Sequence, residues 1–522
     1  MRWLLMYTKL RLSLGAALVL CLGVVGVPTL AGAASPSCDT RVNNTVQKLV
    51  ECVTLEGVRE HQAAFQAAAD ANGGTRAAGT PGYDATVDYV VGVLEDSGYD
   101  VELNGFPFTF TALGELEQLT PVSATYETGS FSGSGTGEVI GNVIPVDLSI
   151  ADPTLSTSGC EATDFAGLDF SGPSDIALVQ RGFCFFAVKA TLAEAAGAEA
   201  IIIFNQGTPG REGPVSGNAT ALPDGTPSNI SIPMVGAGFN EGIALSASGS
   251  TARVKIDPAV ETTQFNIIAE LPGKNDDNVV MAGAHLDSVQ QGPGVQDNGT
   301  GSAAILETAV QMAKVKPRNT VRFAWWGAEE AGLVGSTQYV AGLSQEELDD
   351  IALYLNFDMI GSPNFVYFIY DGDDSDVVGA GPGPAGSAEI EKFFEGFYEA
   401  RDLPYQGTDF SGRSDYGPFI AEGIPAGGLF TGAEGVKTDE QAAIWGGTAG
   451  DQYDPCYHLA CDTFDNISLE ALDVNSDAVA ASTLNYAMNT SDINAKRGKG
   501  NFKLQNRDYG EGQHMHAHDM ME

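Results

Sequence analysis

The chain has 522 residues, too many for one ordinary domain, and 43% of them are hydrophobic, enough for sizeable cores. Its 26 Lys and Arg stand against 68 Asp and Glu, a formal net charge of −42. Phosphate contacts need basic surface, so this balance argues against a nucleic-acid partner and fits solubility or attraction of cationic peptides.

In chain order, residues 1–33 read as a secretion signal. Arg2, Lys9 and Arg11 form a basic start, Leu12 to Val27 is apolar, and Ala31-Gly32-Ala33 suits cleavage. The apolar run is short for a membrane span of about 20 residues, and no second run follows. The expectation is a secreted protein, extracellular or periplasmic, with no stable membrane anchor and a monomeric state.

Cys21 lies inside that signal, which leaves six cysteines. An even number in a secreted chain implies disulfides, and these six fall into local couples: Cys38 with Cys52, Cys160 with Cys184, Cys456 with Cys461.

Residues 34–125 read as a cysteine-bearing lead-in and the first part of the main domain. Helical spacing runs from Leu55 to Asp70 and from Tyr83 to Ser97, with the glycine-rich loop NGGTRAAGTPGY between them. The strand-like VELNGFPFTF follows. Residues 126–258 change character. They are rich in Gly, Ser, Thr and Pro, with short β-prone runs such as EVIGNVIPV and AIIIFN and one helical pattern, FAVKATLAEAAGA. This predicts a β-rich domain inserted into the first. Over residues 259–494 apolar β-runs alternate with helices, which predicts an α/β fold with a mostly parallel mixed central sheet flanked by helices. Residues 495–522 are polar and basic, then rich in His and Met, and read as a disordered tail.

The chemistry concentrates in the third of these regions. The chain has 6 histidines, and one of them, His285, sits in a stretch with Asp287, Asp297, Glu329 and Glu330. His285 and Asp287 follow the strand-like VVMAGA, the two glutamates follow FAWWGA, and Asp358 follows LYLNF. In an α/β sheet, functional groups gather beyond the C-terminal ends of strands. Crowded carboxylates repel one another unless protons or cations intervene, and an added imidazole favours zinc over magnesium or calcium. With His458, these residues could fill the shells of two zinc ions.

The motifs HLDS, QDNGTG, AEEAGLVGS, NFDMIG, SGRSDYGPF and CYHLACDTFDNI, in this order, resemble those of secreted co-catalytic zinc aminopeptidases of the MH clan, the bacterial leucyl aminopeptidase and aminopeptidase Y group. The resemblance implies two Zn2+ ions, with His285 and Asp358 on one, Glu330 and His458 on the other, and Asp297 bridging. It implies a zinc-activated water, Glu329 as general base, Tyr457 as a donor to the oxyanion, Asp287 as the partner that orients His285, and a cis peptide after Asp297. Arg413 is a weaker candidate for contact with substrate. The partner so implied is a peptide with a free N-terminus, and the preferred first residue a large apolar one, with Phe410 and Phe430 near the pocket. The inserted segment IALVQRGFCFFAVKATLAEAAGAEAIIIFNQ resembles a protease-associated (PA) domain. Two alternatives stay open: a PA-containing zinc carboxypeptidase of the same clan, and a receptor-like relative without catalysis.

Overall fold

The computed structural model describes Cys38 and residues 40–208 and 211–494. The signal segment and the tail after 494 lie outside the described residues.

The main sheet has eight strands. In spatial order they are Val101–Phe110, Val260–Leu271, Asn319–Trp326, Asn275–His285, Ile351–Phe357, Ala426–Phe430, Phe368–Tyr370 and Gln406–Thr408. The four central strands, from Asn319–Trp326 to Ala426–Phe430, run parallel, and Phe368–Tyr370 pairs parallel with Gln406–Thr408. The pairings of Val260–Leu271 with its two neighbours, and of Phe368–Tyr370 with Ala426–Phe430, are antiparallel. Strand Ile351–Phe357 is buried at every position, as expected of a parallel strand covered on both faces.

Helices cover the sheet because each carries one apolar face. Leu55–Ala71 begins after Thr54, whose hydroxyl accepts from Gly57 N, and it buries Val58, Phe65 and Ala69. Pro81–Ser97 has its proline in the first turn and stops at Gly98, whose φ of 94° favours glycine. Gly299–Met312 starts at Asn298, whose side chain accepts from Gly301 N, and its buried residues are packed between sheet and outer helices. The long helix Leu469–Met488 joins the same core through Leu472, Val479 and Leu484.

Residues 115–256 build a second, seven-stranded sheet. Its order is Ala124–Tyr126, Glu115–Thr120, Thr251–Ile256, Gly137–Pro145, Asp175–Gln180, Ala200–Phe204 and Met234–Ala237. The last four are mutually parallel, with the helix Phe186–Ala196 between two of them. Its core is separate from that of the main sheet. Disulfides join Cys38 to Cys52, Cys160 to Cys184 and Cys456 to Cys461.

Candidate metal centre

Strand register brings the chemistry to one edge. His285, last residue of its strand, is level with Trp326 on the parallel neighbour, and on the other side Gly283 is level with Asn356. Two residues beyond each match, Asp287 meets the Ala328–Glu330 turn and Asp358 comes level with His285. Ala328 takes a φ of 56°, turning the chain so that both glutamates follow within one bend. Asp297 ends the loop that leads into Gly299–Met312, and its peptide to Asn298 is cis. His458 arrives from a late loop closed by Cys456 and Cys461, at a φ of 58°.

Five side chains converge. His285 Nε2 stands 3.3 Å from Asp297 Oδ1 and 3.3 Å from Asp358 Oδ1. His458 Nε2 stands 3.3 Å from Asp297 Oδ2 and 3.0 Å from Glu330 Oε2. Each oxygen of Asp297 therefore faces a different imidazole. Glu329 Oε2 lies farther out, 3.9 Å from His285 Nε2. Ser414 Oγ donates to Asp358 Oδ2 at 2.6 Å, which leaves Oδ1 as the oxygen aimed at His285.

The electrostatics call for cations. Burial alone would lower the His285 pKa, yet Asp358, Glu329, Asp287 and Asp297 drive it well above the ordinary imidazole value. His458 behaves likewise, burial losing to Glu330 and Asp297. Burial also opposes ionisation of Asp297, but the two histidines hold it below the usual carboxylate range. Burial pushes Glu329 well up and Glu330 up. Positive charge among these carboxylates is what a divalent ion supplies.

The residues fit a metal on a second count. His285 Nε2, Glu330 Oε1 and Asp358 Oδ1 are buried without a hydrogen bond. Such atoms are costly unless something coordinates them. Ligand atoms of His285, Asp297 and Glu330, and of His285, Glu329 and Asp358, gather within 4.8 Å of one another. A mixed imidazole and carboxylate set suits zinc. A further acidic group, Asp371, Asp373 and Glu391, also gathers. Its buried carboxylates already accept from Ser375 N, Asp376 N and Gly372 N.

Asp287 holds more than His285. The imidazole Nδ1 is 3.1 Å from the main-chain oxygen of Asp287 and 3.6 Å from its carboxylate. That carboxylate accepts from Glu329 N at 3.1 Å and Glu330 N at 3.3 Å, so it also fixes the glutamate turn. Tyr457 stacks on His458 with ring centroids 3.8 Å apart. Burial, then Asp297 and Glu330, push its hydroxyl well up, so it keeps its proton. Arg413 pairs with Glu434 at 3.0 Å and is largely exposed. Phe410 is packed against Tyr370 and Tyr416 in the core, and Phe430 against Phe368. Asn298, within an Asn-Gly-Thr sequon, is fully buried with its amide donating to Phe357 O, so no glycan fits there.

Sequence reasoning gave no role to three residues around the cluster: Ser414, Arg76 and Asp462. Each lies inside a motif it had singled out. Arg76 is fully buried, and its guanidinium donates to the carbonyls of Leu286, Pro293 and Gly294, the loop between His285 and Asp297.

Comparison with known proteins identifies the family. The profile of Peptidase family M28 matches residues 266–483, and that of the PA domain residues 139–245. An aminopeptidase of Pseudomonas aeruginosa is 47% identical over 469 residues, 88% of this chain and 86% of its own. Leucine aminopeptidase 2 of Arthroderma otae is 40% identical over 419 residues, 79% of this chain and 80% of its own. The solved structure of a zinc aminopeptidase from Bacillus subtilis shares the fold, with a TM-score of 0.62 and 24% identity over 84% of this chain and 97% of that one. The chain belongs to peptidase family M28, carries an inserted PA domain, and is a zinc-dependent aminopeptidase.

Proposed function

We propose that the cluster holds two zinc ions, His285 and Asp358 on one, Glu330 and His458 on the other, with Asp297 between them. The observation that carries this reading is the pair of 3.3 Å approaches from the two oxygens of Asp297 to the two histidines. Zinc in such a site supplies Lewis acidity, lowering the pKa of water towards about 7 and polarising the scissile carbonyl.

The chain's own groups do the rest. Glu329, raised by burial and set back from the histidines, takes the proton of the attacking water and returns it to the leaving amine. Tyr457 donates its retained proton to the oxyanion. Asp287 holds the His285 ring and the glutamate turn in one orientation. Arg413, held by Glu434, contacts the substrate. The acidic cluster draws in the free α-ammonium of a peptide, so the bond cut is the first one.

Large apolar first residues are the preferred substrates, in line with the name of the Arthroderma otae relative. Three disulfides support a secreted protein. Among the described residues, no helix is long and apolar enough to cross a membrane. The second sheet takes in the strands Glu115–Thr120 and Ala124–Tyr126, ahead of the expected boundary at residue 126, so the domain division is proposed as residues 34–114 and 257–494 for the peptidase and 115–256 for the PA insertion.

The test is hydrolysis of a panel of aminoacyl anilides with and without a chelator. Leucyl and phenylalanyl substrates should lead, with activity lost to the chelator and restored by zinc. Turnover that survives the chelator contradicts the reading.

A further inference from the structure

Asp462 makes an unusual set of contacts. Its main-chain oxygen accepts from Val295 N at 3.1 Å, its Oδ1 from Gln296 N at 2.8 Å and its Oδ2 from Asp297 N at 3.0 Å. One residue thus takes three successive N–H groups, the last of them that of Asp297. The side chain is buried, and a buried carboxylate that accepts two amides is held in a fixed orientation.

Asp462 follows Cys461 directly. The disulfide from Cys461 to Cys456 closes the short loop that carries Tyr457 and His458. Asp462 N donates to Leu459 O within that loop, and Asn466 Nδ2 donates to Asp454 Oδ1 at 2.9 Å and to Asp462 Oδ1 at 3.4 Å. The loop of His458 and the backbone of Asp297 are therefore joined through one carboxylate. The other half of the cluster is anchored elsewhere. Ser302 Oγ donates to His285 O at 2.6 Å, and Ser414 holds Asp358.

We infer that Asp462 is a positioning residue: it sets the register of the His458 loop on Asp297, and so governs metal binding on the Glu330 and His458 side more than on the side of His285 and Asp358, which Asp297 also serves. This rests on the two-zinc reading.

The Asp462→Asn variant tests it. An amide offers one acceptor oxygen, and its NH2 would face a backbone N–H, donor against donor. Zinc titrations of the full-length parent and variant against a chromophoric chelator, with circular dichroism and thermal melts alongside, give the readout. The parent should bind two zincs. The variant should lose about tenfold or more on one zinc, the size of effect usual for an outer partner of a metal ligand, and clearly less on the other. Two parent-like affinities with only a lower melting temperature overturn the inference and leave the two-zinc reading standing. Equal weakening of both sites also overturns it. A parent that binds a single zinc overturns both. If Asp462→Asn does not fold, Asn466→Ala, at a half-buried position, removes the amide that steadies the same carboxylate. It should weaken the same zinc to a smaller extent, and unchanged affinities would overturn the inference.

Discussion

His458 Nε2 lies 3.3 Å from Asp297 Oδ2, although the two residues belong to distant segments of the chain. The opposite oxygen of the same carboxylate reaches His285 at the same distance. A carboxylate placed between two imidazoles is at its most stable when both sides carry positive charge. Asp297→Asn keeps the shape and removes that charge. It should lower zinc affinity by more than the roughly 10- to 100-fold usual for an outer partner, with turnover falling alongside. Chelator competition on the purified variant measures this.

Glu329 is set apart from Glu330 by position as well as role. Glu330 Oε2 is 3.0 Å from His458, whereas Glu329 is 3.9 Å from the nearest imidazole nitrogen of His285. Glu329→Gln should therefore keep parent-like zinc content and lose roughly 100- to 10,000-fold in kcat, the span of a general base. Metal analysis together with steady-state kinetics separates this from a ligand defect, in which zinc would leave with the activity.

Recognition of a free N-terminus predicts a sharp dependence on the α-amine. A peptide and its N-acetylated twin differ only in that charge and its hydrogen-bond donors. The free-amine peptide should be cut and the acetylated one should resist, as followed by chromatography of the released residue. Equal cleavage of both would favour the carboxypeptidase alternative.

Much of this was legible in the sequence because the chemistry sits at strand ends. VVMAGA, FAWWGA and LYLNF read as buried strands, and the residues after them had to emerge on one edge if the strands were parallel. His458 had no such anchor in periodicity. It became a candidate through the scarcity of histidine and the number of ligands two zincs need, and its placement depends on a positive φ and a closed loop. The antiparallel outer pairings of the sheet were hidden because a buried strand has the same apolar run in either direction. The supporting contacts were hidden for a different reason. Ser414, Arg76 and Asp462 act on groups far along the chain, two of them on backbone atoms, which leave no mark in a side-chain pattern.

Lys189, in the inserted domain, gives a pH-dependent prediction away from the metal centre. It is fully buried, and its ammonium donates to Ser158 O and Gln180 O. Burial lowers its pKa to about 8, with Asp164 opposing. An unfolded lysine titrates near 10.4. Between those values the unfolded chain binds more protons, so the contribution of this group to stability rises with pH across that window and is lost as pH falls through about 8. Relative to Lys189→Met, the parent should gain up to roughly 3 kcal/mol between pH 7 and pH 10.5. Urea denaturation of both proteins at the two pH values measures the difference, and a pH-independent gap would contradict the assignment.

The most direct measurement of the two-zinc centre is an anomalous difference map from zinc-loaded crystals, collected on either side of the zinc absorption edge. The account predicts two peaks, one between His285 and Asp358 and one between Glu330 and His458, with Asp297 touching both. A single peak in the cluster, or zinc only at the separate group of Asp371, Asp373 and Glu391, would contradict it.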